Sequence, residues 1–181
     1  MVGLQGPAPT IGEVAMTQDN TQELFKQGMQ LLAASTTIIT SEHDGARAGM
    51  AATAVTSLAA DPPSLLICTN RTARTFDYIM GSGRFAVNVV PDSLTDVVGA
   101  FSSKEDKEKQ FQMAGTWQRS ASGLPILKEA VASFECTVSE WTDAHTHRVF
   151  FGLVDAVHLN PQASALIYAQ RGFYKLAPVA A

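Results

Sequence analysis

The chain has 181 residues, enough for one domain of roughly 100–200 residues whose core needs no disulfide staples. Apolar residues make up 46% and charged residues only 17%, against roughly 25% in an average soluble domain. This excludes a disordered chain, which is charge-rich and apolar-poor. A net charge of −4 lacks the basic face that nucleic acid needs, and no apolar run approaches the ~18 residues of a membrane span.

Two readings of the low charge stay open: a face covered by another copy of the chain, or a surface rich in Ser and Thr. The first sixteen residues hold no Lys or Arg, so they lack the basic start of a signal peptide. Gly3, Gly6, Pro7, Pro9 and Gly12 predict a loose tail over 1–18, with one domain over 19–181. Cys68 and Cys136 are far apart and form no metal pattern. Both sit in strand-like apolar runs, which favours buried free thiols and a cytoplasmic protein.

Asp19 to Ala34 reads as a helix, with Asp19 as cap and Leu24, Phe25, Met29, Leu31 and Leu32 on one apolar face. Thr36 to Thr40 is a β-branched strand, and His43-Asp44-Gly45 signals a turn. Ala48 to Ala59 predicts one long strand, ended by Asp61-Pro62-Pro63 because proline cannot donate to a ladder. Leu65 to Thr69 is a short strand. Thr72 to Met80 is a helix closed by Gly81 and Gly83, and Phe85 to Val90 is a strand. Asp92 to Phe101 is helical, Lys104 to Lys109 is a solvated charged segment, and Trp117 to Leu127 is irregular. Strands follow at Ala130 to Trp141 and Arg148 to Leu159, around a loop at 143–147, and then at 165–169 and 173–176. These strands do not alternate with helices. The pattern is mainly β: an antiparallel barrel with peripheral α-helices. Neither GxGxxG nor a P-loop is present.

Four segments could carry chemistry. In Met50-Ala51-Ala52-Thr53-Ala54-Val55-Thr56-Ser57, small residues let a flat ligand approach the backbone and hydroxyls can meet its polar edge. Its plain alternative is an ordinary Thr-rich strand. Thr69-Asn70-Arg71-Thr72, with Arg74 and Thr75, lies where a strand turns into a helix. Free N–H groups, hydroxyls and an arginine suit phosphate there, and helix capping by Thr72 is the alternative. His145-Thr146-His147 lacks a third metal ligand, so it reads as a loop or as a contact to a ligand. Arg171-Gly172-Phe173-Tyr174 could wall a ring-shaped ligand, or be core and turn. A nucleophilic hydrolase has no support: GxSxG is absent and Cys68 lies in an apolar run.

In order, the run from Met50 to Ser57, Asp61-Pro62-Pro63-Ser64-Leu65-Leu66 and Cys68-Thr69-Asn70 resemble the flavin reductase-like family. Gly83-Arg84-Phe85-Ala86-Val87-Asn88-Val89, Gly123-Leu124-Pro125, Phe134-Glu135-Cys136, His147 five residues before Gly152, and Tyr168 with Arg171, Phe173 and Tyr174 extend the likeness. It runs from about Gln22 to Leu176 and is nearest to the reductase components of two-component aromatic monooxygenases.

The resemblance implies an FMN-binding split barrel of Greek-key type that forms a homodimer with flavin near the interface. It implies reduction of FMN or FAD by NADH or NADPH, and a separate oxygenase that takes up the diffusible reduced flavin. By position, Met50 and Thr53 to Ser57 would line the flavin ring and ribityl chain. Thr69, Asn70, Arg71, Thr72 and Thr75 would hold the phosphate, and Phe101 and Ser102 would lie beside the flavin. His147 would position the nicotinamide, with Arg171 and Tyr174 near the same pocket. Hydride transfer between two bound rings needs no obligatory acid or base and no metal. A flavin- or haem-binding carrier or sensor without catalysis is the second reading, and an oxidase of the pyridoxamine-phosphate type a third. At Ala51-Ala52 and at Ala144-His145-Thr146 the chain departs from the common family pattern.

Overall fold

A computed structural model describes residues 18–179, so the expected tail lies, apart from Gln18, outside the described residues. In chain order the elements are α1 (Gln18–Gln30), β1 (Ala34–Ser35), β2 (Thr37–His43), β3 (Ala46–Ala52), β4 (Val55–Ala60) and β5 (Pro63–Asn70). Next come α2 (Arg74–Ser82), β6 (Arg84–Val89), α3 (Thr95–Ser102), α4 (Lys107–Met113), β7 (Trp117–Arg119) and β8 (Pro125–Leu127). The chain ends with β9 (Ala132–Ala144), β10 (His147–Leu159), β11 (Leu166–Ala169) and β12 (Gly172–Lys175).

Seven antiparallel strands form one sheet in the order β3-β2-β6-β9-β10-β5-β4. Its two edge strands, β3 and β4, are consecutive in the chain and separated only by Thr53 and Ala54. A link that short spans no more than ~11 Å, so the sheet curls until its edges meet at that end. No ladder joins β3 to β4, and the barrel is split. A second sheet, β1-β11-β12, and the β7-β8 hairpin lie outside it.

The barrel interior holds Ile39, Leu65, Ile67, Ile79, Phe85, Val87, Cys136 and Phe150. A second cluster under α3 and α4 contains Ile38, Val97, Phe101 and Phe111, with Trp117 packed on it. The rings of Phe101, Phe111 and Trp117 meet pairwise with centroids 4.9, 5.1 and 5.0 Å apart. Asn88 ties the two sides of the sheet together. Its Nδ2 donates to the Ile38 carbonyl and to Thr40 Oγ1, and its Oδ1 accepts from Leu127 N–H and Ser133 Oγ.

Several expectations need correction. The strand expected over 48–59 breaks at Thr53–Ala54, because its halves pair with different partners, β2 and β5. The charged segment 104–109 enters α4, where Asp106 caps the helix by accepting from Glu108 N–H while Gln110 and Phe111 are buried. The irregular stretch 117–127 contains the β7-β8 hairpin. Helix α2 starts at Arg74 with Ala73 as its N-cap, so Thr72 does not cap it; Asp19 lies within α1 rather than before it. The loop at 143–147 is a tight hairpin turn, with only His145 and Thr146 between β9 and β10. The expected turn at 43–45 is present: Asp44 and Gly45 both have positive φ, which matches the twist of a two-residue hairpin.

Candidate functional site

A cleft of about 320 Å³ opens beside the strand break, lined by Thr36, Ala51, Ala52, Thr53, Val98, Ser102, Tyr168 and Phe173. Its walls come from four elements. The end of β3 supplies side chains too small to block a flat ligand. On α3, Val98 and Ser102 stand one turn apart and face the cleft together. Tyr168 and Phe173 are paired across β11 and β12, their rings 5.6 Å apart. Thr36 brings a polar group: its Oγ1 is buried and has no hydrogen-bond partner. A buried hydroxyl without a partner costs about 1–3 kcal/mol, and a bound group with a polar edge would satisfy it.

The turn expected to hold phosphate adjoins this cleft: the carbonyl of Ala54, next to Thr53, accepts from Cys68 N–H at 3.1 Å, just before Thr69. Asn70 Oδ1 accepts from both the N–H and the hydroxyl of Thr72 at 2.9 Å, which shapes the turn into α2. Arg74 donates to the Glu105 carbonyl at 2.7 Å and so fastens the start of α2 to the segment that follows Ser102. Thr69 and Thr75 are buried, and Thr69 Oγ1 also lacks a partner.

The β9-β10 hairpin closes the far side. His147 stands opposite Asn70 in the ladder, and its Nδ1 lies 2.9 Å from Thr146 Oγ1. Arg71 N–H donates to the Thr146 carbonyl, and its guanidinium is 3.6 Å from Asp143. Asp143 in turn accepts two hydrogen bonds from Arg148, at 2.6 and 2.9 Å, and these hold its carboxyl below the usual range. Arg148 stacks on Trp141, 3.6 Å from the ring centroid.

Of the residues expected from the sequence, Thr53 and Ser102 meet in the cleft. Thr69, Asn70, Arg71 and Thr72 form the adjoining turn with His147 across from it. Others stand elsewhere. Met50 packs on the barrel core, and Phe101 is buried among aromatics. Val55, Thr56 and Ser57 line a different, apolar recess beyond the strand break. Arg171 donates to Gln30 Oε1 on α1. Tyr174 is half exposed and neighbours Phe173 on β12, so the two side chains point to opposite faces. The cleft's Thr36, Val98 and Tyr168 were not singled out as ligand contacts. Period-two alternation separates Phe173 from Tyr174, but only the fold says which face is the cleft.

Small residues, orphaned hydroxyls and an aromatic wall fit a flat ring with polar edges, and the adjoining turn fits its phosphate. A split antiparallel barrel carrying such a cleft at its strand break belongs to the class of nucleotide-cofactor-binding barrels. Residues 29–177 match the flavin reductase like domain, and the chain belongs to that family. It is 37% identical over 153 residues to FMN reductase (NADH) RutF of Variovorax paradoxus, covering 84% of each chain. Among solved structures it is similar to a nitrilotriacetate monooxygenase component B homologue from Mycobacterium thermoresistibile, at 29% identity, 90% coverage of both chains and a TM-score of 0.82. It is also similar to BorF, the flavin reductase component of a bacterial two-component tryptophan halogenase, at 26% identity, covering 87% of this chain and 99% of that one with a TM-score of 0.79.

Proposed function

We propose that this protein is an NADH:flavin oxidoreductase that reduces FMN and releases it to a separate oxygenase or halogenase component. The observation that carries the reading is the cleft at Thr53, whose orphaned Thr36 hydroxyl and Phe173 wall adjoin the Asn70 turn. Family membership and the FMN reductase relatives support it.

When bound, the flavin supplies the redox chemistry, accepting a hydride from the reduced nicotinamide and carrying the electrons away. The chain's own residues bind and orient. Thr36, Thr53 and Ser102 offer hydroxyls to the polar edge of the ring, and Phe173 and Tyr168 shield it from water. The side chains of Arg71, Thr72 and Thr75, gathered at the Asn70 turn with Thr69, hold the phosphate. His147, fixed against Thr146 Oγ1, orients the nicotinamide, and no side chain is required as acid or base. The active species is a homodimer in the cytoplasm, where the nicotinamide pool is held; among the described residues no helix is long and apolar enough to cross a membrane.

The test is anaerobic NADH oxidation with FMN, FAD or riboflavin as acceptor. FMN is expected to have the lowest KM, and riboflavin a higher one because it leaves the phosphate turn unused. Absence of turnover with every acceptor would overturn the reading. His147→Ala is expected to raise the KM for NADH about tenfold while leaving flavin affinity unchanged, a loss of ~1.4 kcal/mol.

A further inference from the structure

Arg71 is held at two points. Its N–H donates to the Thr146 carbonyl at 3.0 Å, and one end of its guanidinium lies 3.6 Å from Asp143 Oδ2. The second contact is too long for a hydrogen bond, so among the described residues the guanidinium keeps its donors for something else. Asp143 is gripped from behind. Arg148 donates to both of its carboxylate oxygens, and the Arg148 side chain is only 11% exposed. The Trp141 ring covers that guanidinium at 3.6 Å, the Phe76 ring of α2 lies 5.3 Å away, and Met80 Sδ accepts from Nη1 at 3.0 Å. Trp141, Asp143 and Arg148 share one face of the β9-β10 hairpin, because residues two apart on a strand and residues paired across it point the same way. Arg148 therefore has little room to swing, and neither has the carboxylate it holds. Two arginines and one carboxylate leave a positive charge in excess beside the Asn70 turn, in a chain whose net charge is −4.

We propose that Asp143 and Arg148 are positioning residues for the phosphate of FMN: Arg148 locks Asp143, and Asp143 aims the Arg71 guanidinium across the Asn70 turn. The chain then prefers a phosphorylated flavin to riboflavin. An arginine aimed before the ligand arrives gives up less side-chain freedom on binding, which raises affinity without a new contact. The carboxylate repels an incoming phosphate only weakly, because Arg148 already neutralises it. An exposed ion pair is worth little by itself; the wedged Arg148 is what gives this one a fixed direction. The inference rests on the flavin reading above and concerns only its phosphate end.

Fluorescence titration with FMN and with riboflavin tests it, in a double-mutant cycle of Arg71→Ala and Asp143→Asn. Arg71→Ala is expected to weaken FMN binding about tenfold, the loss of one charge-assisted contact. Asp143→Asn is expected to weaken it about fivefold, through lost aim alone. Riboflavin, which has no phosphate, should bind both variants within about twofold of wild type, and so reports that each is folded. In the Arg71→Ala background, Asp143→Asn should change FMN affinity less than about twofold, because the residue it acts through is gone. Arg148→Lys keeps the charge but loses the two-pronged grip, and should weaken FMN about as much as Asp143→Asn. Equal losses for FMN and riboflavin would make Asp143 a merely structural residue and overturn the proposal. So would additive losses in the cycle, or tighter FMN binding by Asp143→Asn, which would make the carboxylate a competitor for Arg71. Arg148→Lys at wild-type affinity would overturn the part given to Arg148. A wild type that binds FMN no better than riboflavin overturns this proposal and leaves the flavin reading standing, whereas one that binds neither overturns both.

Discussion

Asn88 has every hydrogen-bonding capacity of its side chain engaged inside the sheet, bridging β2, β8 and β9. Replacing it with alanine strands the Leu127 N–H and other buried groups. Asn88→Ala is therefore expected to cost about 3 kcal/mol, read from the midpoint of urea unfolding. Glu135 is a different kind of buried group. Burial pushes its carboxyl up, but hydrogen bonds from Ser122, His158 and Ser120 outweigh this and hold it below the usual range. A lowered carboxylate stabilises the fold fully above the ordinary carboxylate range and loses that contribution as the pH falls through its own value. The gap in Tm between wild type and Glu135→Gln should therefore shrink from about pH 6 towards pH 3, below the ordinary value of ~4.3. Cys136 is pushed up to about 12 by burial, with Asp155 and Glu135 adding to it. It stays a neutral thiol at physiological pH, so its alkylation should follow global unfolding, measurable by labelling across a denaturant series.

Elements meet at places where small size is required. A Cβ on Gly152 of β10 would lie 2.6 Å from the Phe85 ring and 2.9 Å from Cys136 Cβ. Gly152→Ala is expected to cost about 1–3 kcal/mol, since neither neighbour in the barrel core can move aside. At the end of α2 the requirement is conformational: Gly83 takes φ 67° and its N–H returns to the Ile79 carbonyl. The cleft depends on elements being held together as well. Arg74 fastens α2 to the segment after α3, so Arg74→Ala should raise the flavin KM ~2–5-fold through a loosened wall, with partial rescue by lysine. On β12, Phe173→Ala should weaken flavin binding about tenfold and Tyr174→Ala much less, because only Phe173 faces the cleft. Fluorescence titration with FMN distinguishes the two.

At the scale of the whole molecule, the break at Thr53–Ala54 organises everything. It joins the two edges of a seven-stranded sheet, sends Ala51 to Thr53 into the cleft, and turns Val55 to Ser57 towards the barrel-end recess. One short link thus feeds both the cleft and the apolar recess.

Much of this was legible in the residues taken alone. Alternation and turn chemistry marked most strands, as at Asp44-Gly45, where positive φ is cheap. The ordered set from Met50 to Tyr174 carried the family, and with it the split barrel. The Asn70 turn was visible because its residue types have a local preference. Tertiary structure alone decided the rest. Strand pairing, a contact between distant segments, broke 48–59 in two, and neither half signals its partner locally. Orientation put Phe101 in the core and Phe173 at the cleft, since a side chain's face depends on what the sheet packs against. The exposure of Phe25 and Met29 on α1 is likewise a property of the assembled surface: the apolar stripe reads the same in sequence whether it is covered or left open.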